Sequence, residues 1–202
     1  MEMEKKLILP RILGRRLLMF DSNMNFYGIQ ANYLKDLCEL RKNVPDYDQH
    51  LNFKIFHSYV DAYVVCPLIG YQYGKRIPMG SSADGDVGIL LEQISKKRSE
   101  LRFVYQILML IDEDSEPDEE KRIYRAFKLS ETSDEDKERI AENMKIFNEY
   151  FFGGIEVLHE QFVDECTDDD SYLRRMFEYV KKFNEEQDGE ALKASIDSFL
   201  NK

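Results

Sequence analysis

The chain of 202 residues has no tryptophan and only three cysteines and three histidines. Cys38, Cys66 and Cys166 are widely spaced and odd in number, which argues against a disulfide framework and for a reducing cytoplasm. No Cys or His cluster has ligand spacing, so neither a metal nor a cofactor is expected. Five prolines and ten glycines leave little sequence for long irregular segments. No uninterrupted apolar run spans a bilayer. The most apolar stretch, 53–73, contains Lys54, His57 and Asp61, which are expensive at membrane depth. The start, Met1-Glu2-Met3-Glu4-Lys5-Lys6, lacks the apolar core of a signal peptide. The expectation is a soluble cytoplasmic protein with no membrane partner.

Charge is present in excess and unevenly placed. The net charge is −11, with +3 over residues 1–102 and −14 over residues 103–202. An acidic chain repels DNA, because non-specific affinity comes from neutralising phosphates. Any direct contact with nucleic acid therefore falls to the N-terminal half. Thirteen Phe and twelve Tyr supply an aromatic core.

Apolar periodicity reads as six to eight helices with little strand. Residues 5–20 mix basic and apolar positions around Pro10 and Gly14 and form either a short strand or an ordered arm. Ile29, Tyr33, Leu37 and Leu40 predict a helix within 26–41. A second helix starts near Leu51, with Phe53, Phe56, Val60, Tyr63 and Val64 inward and a kink or break at Pro67. Residues 79–88 are a loop. The clearest helix runs from Ile89 to Ile111, with Leu90, Ile94, Leu101, Val104, Tyr105 and Leu108 on one face. A short helix over 119–129 follows the acidic stretch 112–120. Thr132 or Ser133 caps the next helix, carrying Ile140, Met144, Phe147 and Phe151. Gly153-Gly154 either ends that helix or admits another backbone beside it. An amphipathic helix opens at 168–170 with Tyr172, Leu173, Met176, Val180 and Phe183 inward. A last helix carries Leu192, Ile196, Phe199 and Leu200. The fold class is all-α, one helical-bundle-like domain over 1–202, with 112–120 as the candidate point of subdivision.

Catalytic motifs are approached and missed. Gly70-x-x-x-Gly74-Lys75-Arg76 has three residues between its glycines where a phosphate-binding loop has four, and Arg76 replaces the magnesium-binding hydroxyl. The alternative is a helix end, with Lys75 and Arg76 answering its dipole. His159-Glu160-Gln161-Phe162-Val163 has Val163 where a zinc-protease helix needs its second histidine. His57 and Asp61, four apart, suit either acid–base work or an ordinary helix-surface pair. His50 has no evident partner. The basic residues fall into three groups: Arg11, Arg15 and Arg16; Lys75 and Arg76; and Lys96, Lys97, Arg98 and Arg102. They form either a converging face for phosphate or an acidic partner, or separate solvated clusters.

Two stretches carry a resemblance. Residues 59–76 (YVDAYVVCPLIGYQYGKR) and 146–158 (IFNEYFFGGIEVL) resemble small proteins encoded beside DNA phosphorothioation (Dnd-type) modification and restriction systems. The shared pattern is an Asp followed by an apolar run, Gly-aromatic-x-x-Gly-basic-Arg, then Glu-Tyr-x-x-Gly-Gly-apolar-Glu. The resemblance implies antiviral defence and co-encoded partners, and it brings no catalytic residues. The leading expectation is a non-enzymatic accessory or scaffold subunit of a defence complex. Its partners would be larger subunits, DNA would be reached only through the complex, and homo-oligomerisation stays open. The alternatives are a nucleic-acid-binding module using the basic N-terminal half, and an enzyme with a site around His57, Asp61, Lys75 and Arg76.

Overall fold

The computed structural model describes residues 19–38, 54–80, 86–130, 133–164, 166 and 168–187. Arg11, Arg15, Arg16, His50, the start of the second helix near Leu51, and the last helix with Leu192, Ile196, Phe199 and Leu200 lie outside the described residues. The element order is β1 (Met24–Tyr27), α1 (Ile29–Leu37), α2 (Tyr59–Gln72), β2 (Asp86–Ile89), α3 (Leu91–Lys96), α4 (Arg98–Ile111), α5 (Glu119–Phe127), α6 (Asp134–Phe162) and α7 (Asp169–Gln187). The protein is a mainly helical single domain with one small two-stranded sheet.

The sheet departs from the helical reading at two places. β1 and β2 pair antiparallel, Met24 opposite Ile89 and Phe26 opposite Val87. Phe26, Val87 and Ile89 point into the core. Alternating burial over four residues overrides helical propensity once a partner strand is available. The helix expected from Ile89 therefore begins only at Leu91 and is split at Lys97 (φ −108°, ψ 12°). Leu90, expected inward, is exposed, because it sits at the strand-to-helix corner. Ile94, Leu101, Val104, Tyr105 and Leu108 are buried.

α2 starts later than the periodicity suggested, at Tyr59, where the Ser58 side chain accepts from the Asp61 backbone N–H. It runs through Pro67 without a break. Proline removes one N–H donor and crowds the preceding turn, a local cost that the packing of the buried face of α2 outweighs.

α6 is continuous over 29 residues, with Gly153 and Gly154 in its interior. Its N-terminus is capped by Ser133, and Asp134, Glu135 and Asp136 occupy the first turn, where carboxylates meet the positive end of the dipole. α2 lies directly on α6. A Cβ at Gly70 would fall under 3.0 Å from the Tyr150 carbonyl, and one at Gly154 would strike the Cys66 carbonyl. A Cβ at Gly153 would strike the carbonyl of Lys75, just past α2. These backbones touch because no side chain intervenes.

Around this crossing lies an aromatic core. Tyr63 packs edge-on against Phe147 and Phe151, with ring centroids 5.4 Å and 4.8 Å away, and its hydroxyl donates to Asn148 (2.8 Å). Phe20 and Phe26 close the cluster from the N-terminal side. The acidic stretch after α4 is tied into the same body. Arg125 Nε donates to the Met109 carbonyl (2.8 Å) and its Nη2 to the Asp112 carbonyl (2.6 Å). Arg122 donates to the carbonyls of Leu110, Glu116 and Pro117. The two guanidinium groups thus satisfy carbonyls that the end of α4 leaves open. Buried Asp112 accepts from the Tyr150 hydroxyl (2.9 Å).

Gly70→Ala and Gly154→Ala should each destabilise by about 3 kcal/mol, at the high end of overpacking costs. Gly74→Ala should cost about 1 kcal/mol, from left-handed backbone alone, since nothing lies within 4 Å of a Cβ there. Urea unfolding ranks the three. A Gly154→Ala protein with the unfolding midpoint of the parent would contradict the close crossing.

Candidate functional site

The segment after α2 is built by the helix end itself. Gly74 is left-handed (φ 59°), its N–H donates to the Tyr71 carbonyl (2.9 Å), and the Lys75 N–H donates to the Gly70 carbonyl (2.8 Å). This is a Schellman ending, and it closes the near-phosphate-loop as a helix terminus. It delivers Lys75 and Arg76 onto α6. Lys75 Nζ lies 2.8 Å from Glu160 and 3.1 Å from Glu156. Arg76 binds Glu149 through Nε (3.1 Å) and Nη2 (2.5 Å), donates to Ser115, and lies over the Tyr150 ring. Burial disfavours the Lys75 ammonium, but Glu160 and Glu156 outweigh it and raise its pKa.

The pattern shared by the two family-like stretches is thereby accounted for as one interface. Asp61 accepts from the Ser58 hydroxyl at the start of α2, Gly70 and Gly154 admit the backbones, and Gly153 lies under Lys75. Glu149 and Glu156 hold Arg76 and Lys75.

Three of the four residues in the third basic group pair within the chain. Lys96 pairs with Glu92 (2.7 Å), Lys97 with Glu100 (3.3 Å) and Asp61 (3.7 Å), and Arg98 with Asp21 (2.9 Å). Arg102 lines a small polar cavity beside Arg125 and Gln106. Lys97 stands at the start of α2 and Lys75 beyond its end, about 20 Å apart along the helix. The two clusters thus occupy opposite ends of α2 rather than one face. Arg11, Arg15 and Arg16 are outside the described residues.

His57 precedes the N-cap of α2, so it and Asp61 do not share a helix face. The histidine with a built environment is His159, which is 7% exposed. Its Nε2 is 3.2 Å from Asp36 Oδ2 on α1, and its Nδ1 is 3.1 Å from Asp164 Oδ1, without hydrogen-bond alignment. Its ring stacks on Tyr33 at 3.9 Å. Burial, then Glu156, Asp164 and Glu160, raise the Tyr33 phenol pKa. Sequence reasoning weighed His159 only as a zinc ligand, because nothing local links it to Asp36, 123 residues earlier. The two carboxylates face opposite ring nitrogens and do not converge on one point. Among the described residues no three His, Cys, Asp or Glu groups are placed to hold a metal ion.

A groove of about 550 Å³ runs along the N-terminal half of α6. Ile140, Ala141, Met144 and Phe152 of α6 line it together with Met19, Met24 and Met79. A second apolar hollow of about 380 Å³ lies between α2, α4 and α7. Near it, exposed Leu173, Phe177 (70%) and Val180 follow one another at helical spacing along α7, two of them expected inward. No helix among the described residues is long and apolar enough to cross a membrane.

Burial pushes the Cys38 thiol up to about 12 and raises that of Cys66 well above its ordinary value. Thiolate is the reactive form. In native protein at pH 8, Ellman's reagent should titrate Cys166 alone of these three, and all three in denaturant. Rapid labelling of Cys38 in folded protein would contradict the packing.

No curated protein and no solved structure matches the chain. A family match covers residues 35–196, which include both stretches that meet at the α2–α6 crossing. By that match the chain belongs to the family described as DNA sulphur modification system-associated protein 4.

Proposed function

We propose that the chain is a non-enzymatic accessory subunit that links larger protein components of a DNA sulphur modification system, in defence against foreign DNA. The observation that carries this reading is the internal pairing of Lys75, Arg76, Lys96, Lys97 and Arg98 with carboxylates of the same chain. To bind a phosphate backbone, these cations would first have to leave those partners. The apolar groove on α6 and the apolar face of α7 offer surfaces of the kind that proteins bury against one another. Membership of a family associated with a modification system supports work alongside other components of that system. DNA is reached through the complex, and the protein acts in the cytoplasm.

The test is a salt titration of duplex binding beside purification from the native host. The isolated chain should show no duplex binding tighter than about micromolar at physiological salt, in the range of non-specific contacts. It should co-purify with a defined system component in fixed stoichiometry. Sub-micromolar duplex binding by the chain alone, lost on Lys75→Glu and Arg76→Glu, with no stable protein partner, would replace this reading with direct DNA binding.

A further inference from the structure

We infer that the groove on α6 is the seat of this chain's own N-terminal arm, residues 11–18, whose apolar side chains fill it while its arginines reach Glu138 and Glu142. The inference goes beyond the accessory reading and gives the first basic group of the sequence a place in the molecule.

Continuity of the chain points to this occupant. Met19, the first described residue, lines the groove, followed by Phe20, Ser22 and Met24. Phe20 is buried and packs edge-on against Phe147 of α6, with ring centroids 5.6 Å apart. Residue 18 therefore joins the body at the wall of the groove. Met19 also borders the small cavity of Arg102 and Arg125, where a segment rich in arginine would meet like charge. The stripe of α6 that lines the groove, from Lys137 to Phe152, is about 22 Å long. Eight residues cover about 12 Å as a helix and about 26 Å when extended, so the arm spans half of that stripe or all of it. A tethered segment has an effective concentration in the millimolar range. Weak contacts therefore suffice to seat it, and a separate partner would first have to displace it.

The chemistry of the two surfaces matches. The arm reads Arg11-Ile12-Leu13-Gly14-Arg15-Arg16-Leu17-Leu18. A cavity of about 150 Å³ accepts one benzene ring, so about 550 Å³ takes roughly three large apolar side chains, and the arm brings Ile12, Leu13, Leu17 and Leu18. The lining methionines are unbranched and mould to whichever of these enters. Charge selects the basic arm. On the first half of α6, Asp134, Glu135 and Glu149 answer Lys137, Arg139 and Arg76. Lys145 lies 4.0 Å from Glu149. Buried Asp136 accepts from the Ser130 backbone N–H. Glu138 and Glu142 are exposed and have no ion pair among the described residues. They follow the lining residues Lys137 and Ala141 by one position each, which puts them one turn apart along the outer edge of the groove. An arginine can engage either carboxylate without opening an existing pair.

The experiment uses full-length protein carrying ¹³C-methyl methionine, a nitroxide on Gly14→Cys, and Cys166→Ser. Cys38 and Cys66 are buried and stay unlabelled. The nitroxide should broaden the methyl signals of Met79 and Met144. It should spare Met176, one turn along α7 from Tyr172, which packs on Phe162 at the far end of α6. Mixing nitroxide protein without ¹³C and ¹³C protein without nitroxide should give no broadening. Glu138→Lys with Glu142→Lys, both at exposed positions, should remove most of the effect, and adding Arg15→Glu with Arg16→Glu should restore it. Ile12→Ser with Leu13→Ser should abolish it. Unbroadened Met79 and Met144, or broadening that spreads equally to Met176, would overturn the inference. Broadening in the mixed sample would assign the groove to the arm of a second copy and also overturn it. Charge reversal at Glu138 and Glu142 without effect would do the same, since it removes the arginine contacts. An undocked arm in a protein that still binds duplex weakly sinks this inference alone. Sub-micromolar duplex binding without a protein partner sinks the accessory reading, whatever the methyl signals show.

Discussion

Where α2 crosses α6, backbone rests on backbone. Gly70 lies against Tyr150 and Gly154, and Gly154 against Cys66. Helices separated by ordinary side chains run 8–10 Å apart. Removing Cβ atoms at the contact lets the axes come closer and the main chains pack directly. Such a contact has little tolerance, since packed interiors do not yield by a full methyl group. It sets the height of α2 over α6, and so the positions of everything attached to either end of α2.

Two consequences follow at the C-terminal end. The Schellman ending at Gly74 turns the chain onto α6 at Gly153, so Lys75 meets Glu156 and Glu160 while Arg76 meets Glu149 and Tyr150. Tyr150 then passes the connection to buried Asp112 at the end of α4, and through Arg125 to α5. The aromatic cluster around Tyr63 fills the space on the other side of the crossing. The charged rim orients a contact whose stability comes from apolar burial, because half-exposed ion pairs contribute little by themselves.

This arrangement changes the meaning of the family-like pattern. A glycine-rich segment followed by Lys and Arg invites a phosphate-binding reading. Folded together, the basic residues of the first stretch are the counter-ions of the acidic residues in the second. Among the described residues, apolar surface stays open along the groove on α6 and on the outer face of α7 with Phe177 and Val180. The accessory role proposed above would use surfaces of that kind, and paired charges would keep it from competing for DNA.

The helical class, most of the core and one helix cap were legible in the sequence, because period, capping chemistry and turn residues act over one or two turns. Tyr63, Leu101, Tyr105, Phe147 and Phe151 were placed inward by periodicity and are buried. Thr132 or Ser133 was read as the cap of α6, and Ser133 takes that place. Short-range rules failed where a distant partner decided the outcome. Phe26 and Ile89 became strand residues only because β1 and β2 found one another across the chain. Pro67, itself buried, stayed inside a helix because the packing of α2 against α6 outweighed one lost hydrogen bond. Tyr33, Asp36 and His159 became neighbours through the packing of α1 on α6, and Met19, Met24, Met79 and Met144 came to share one groove. The sequence by itself determined which segments coil and which faces are apolar, since those depend on neighbouring residues. Only the tertiary structure decided which apolar faces are used up and which charges cancel, because both depend on contacts between residues far apart in the chain.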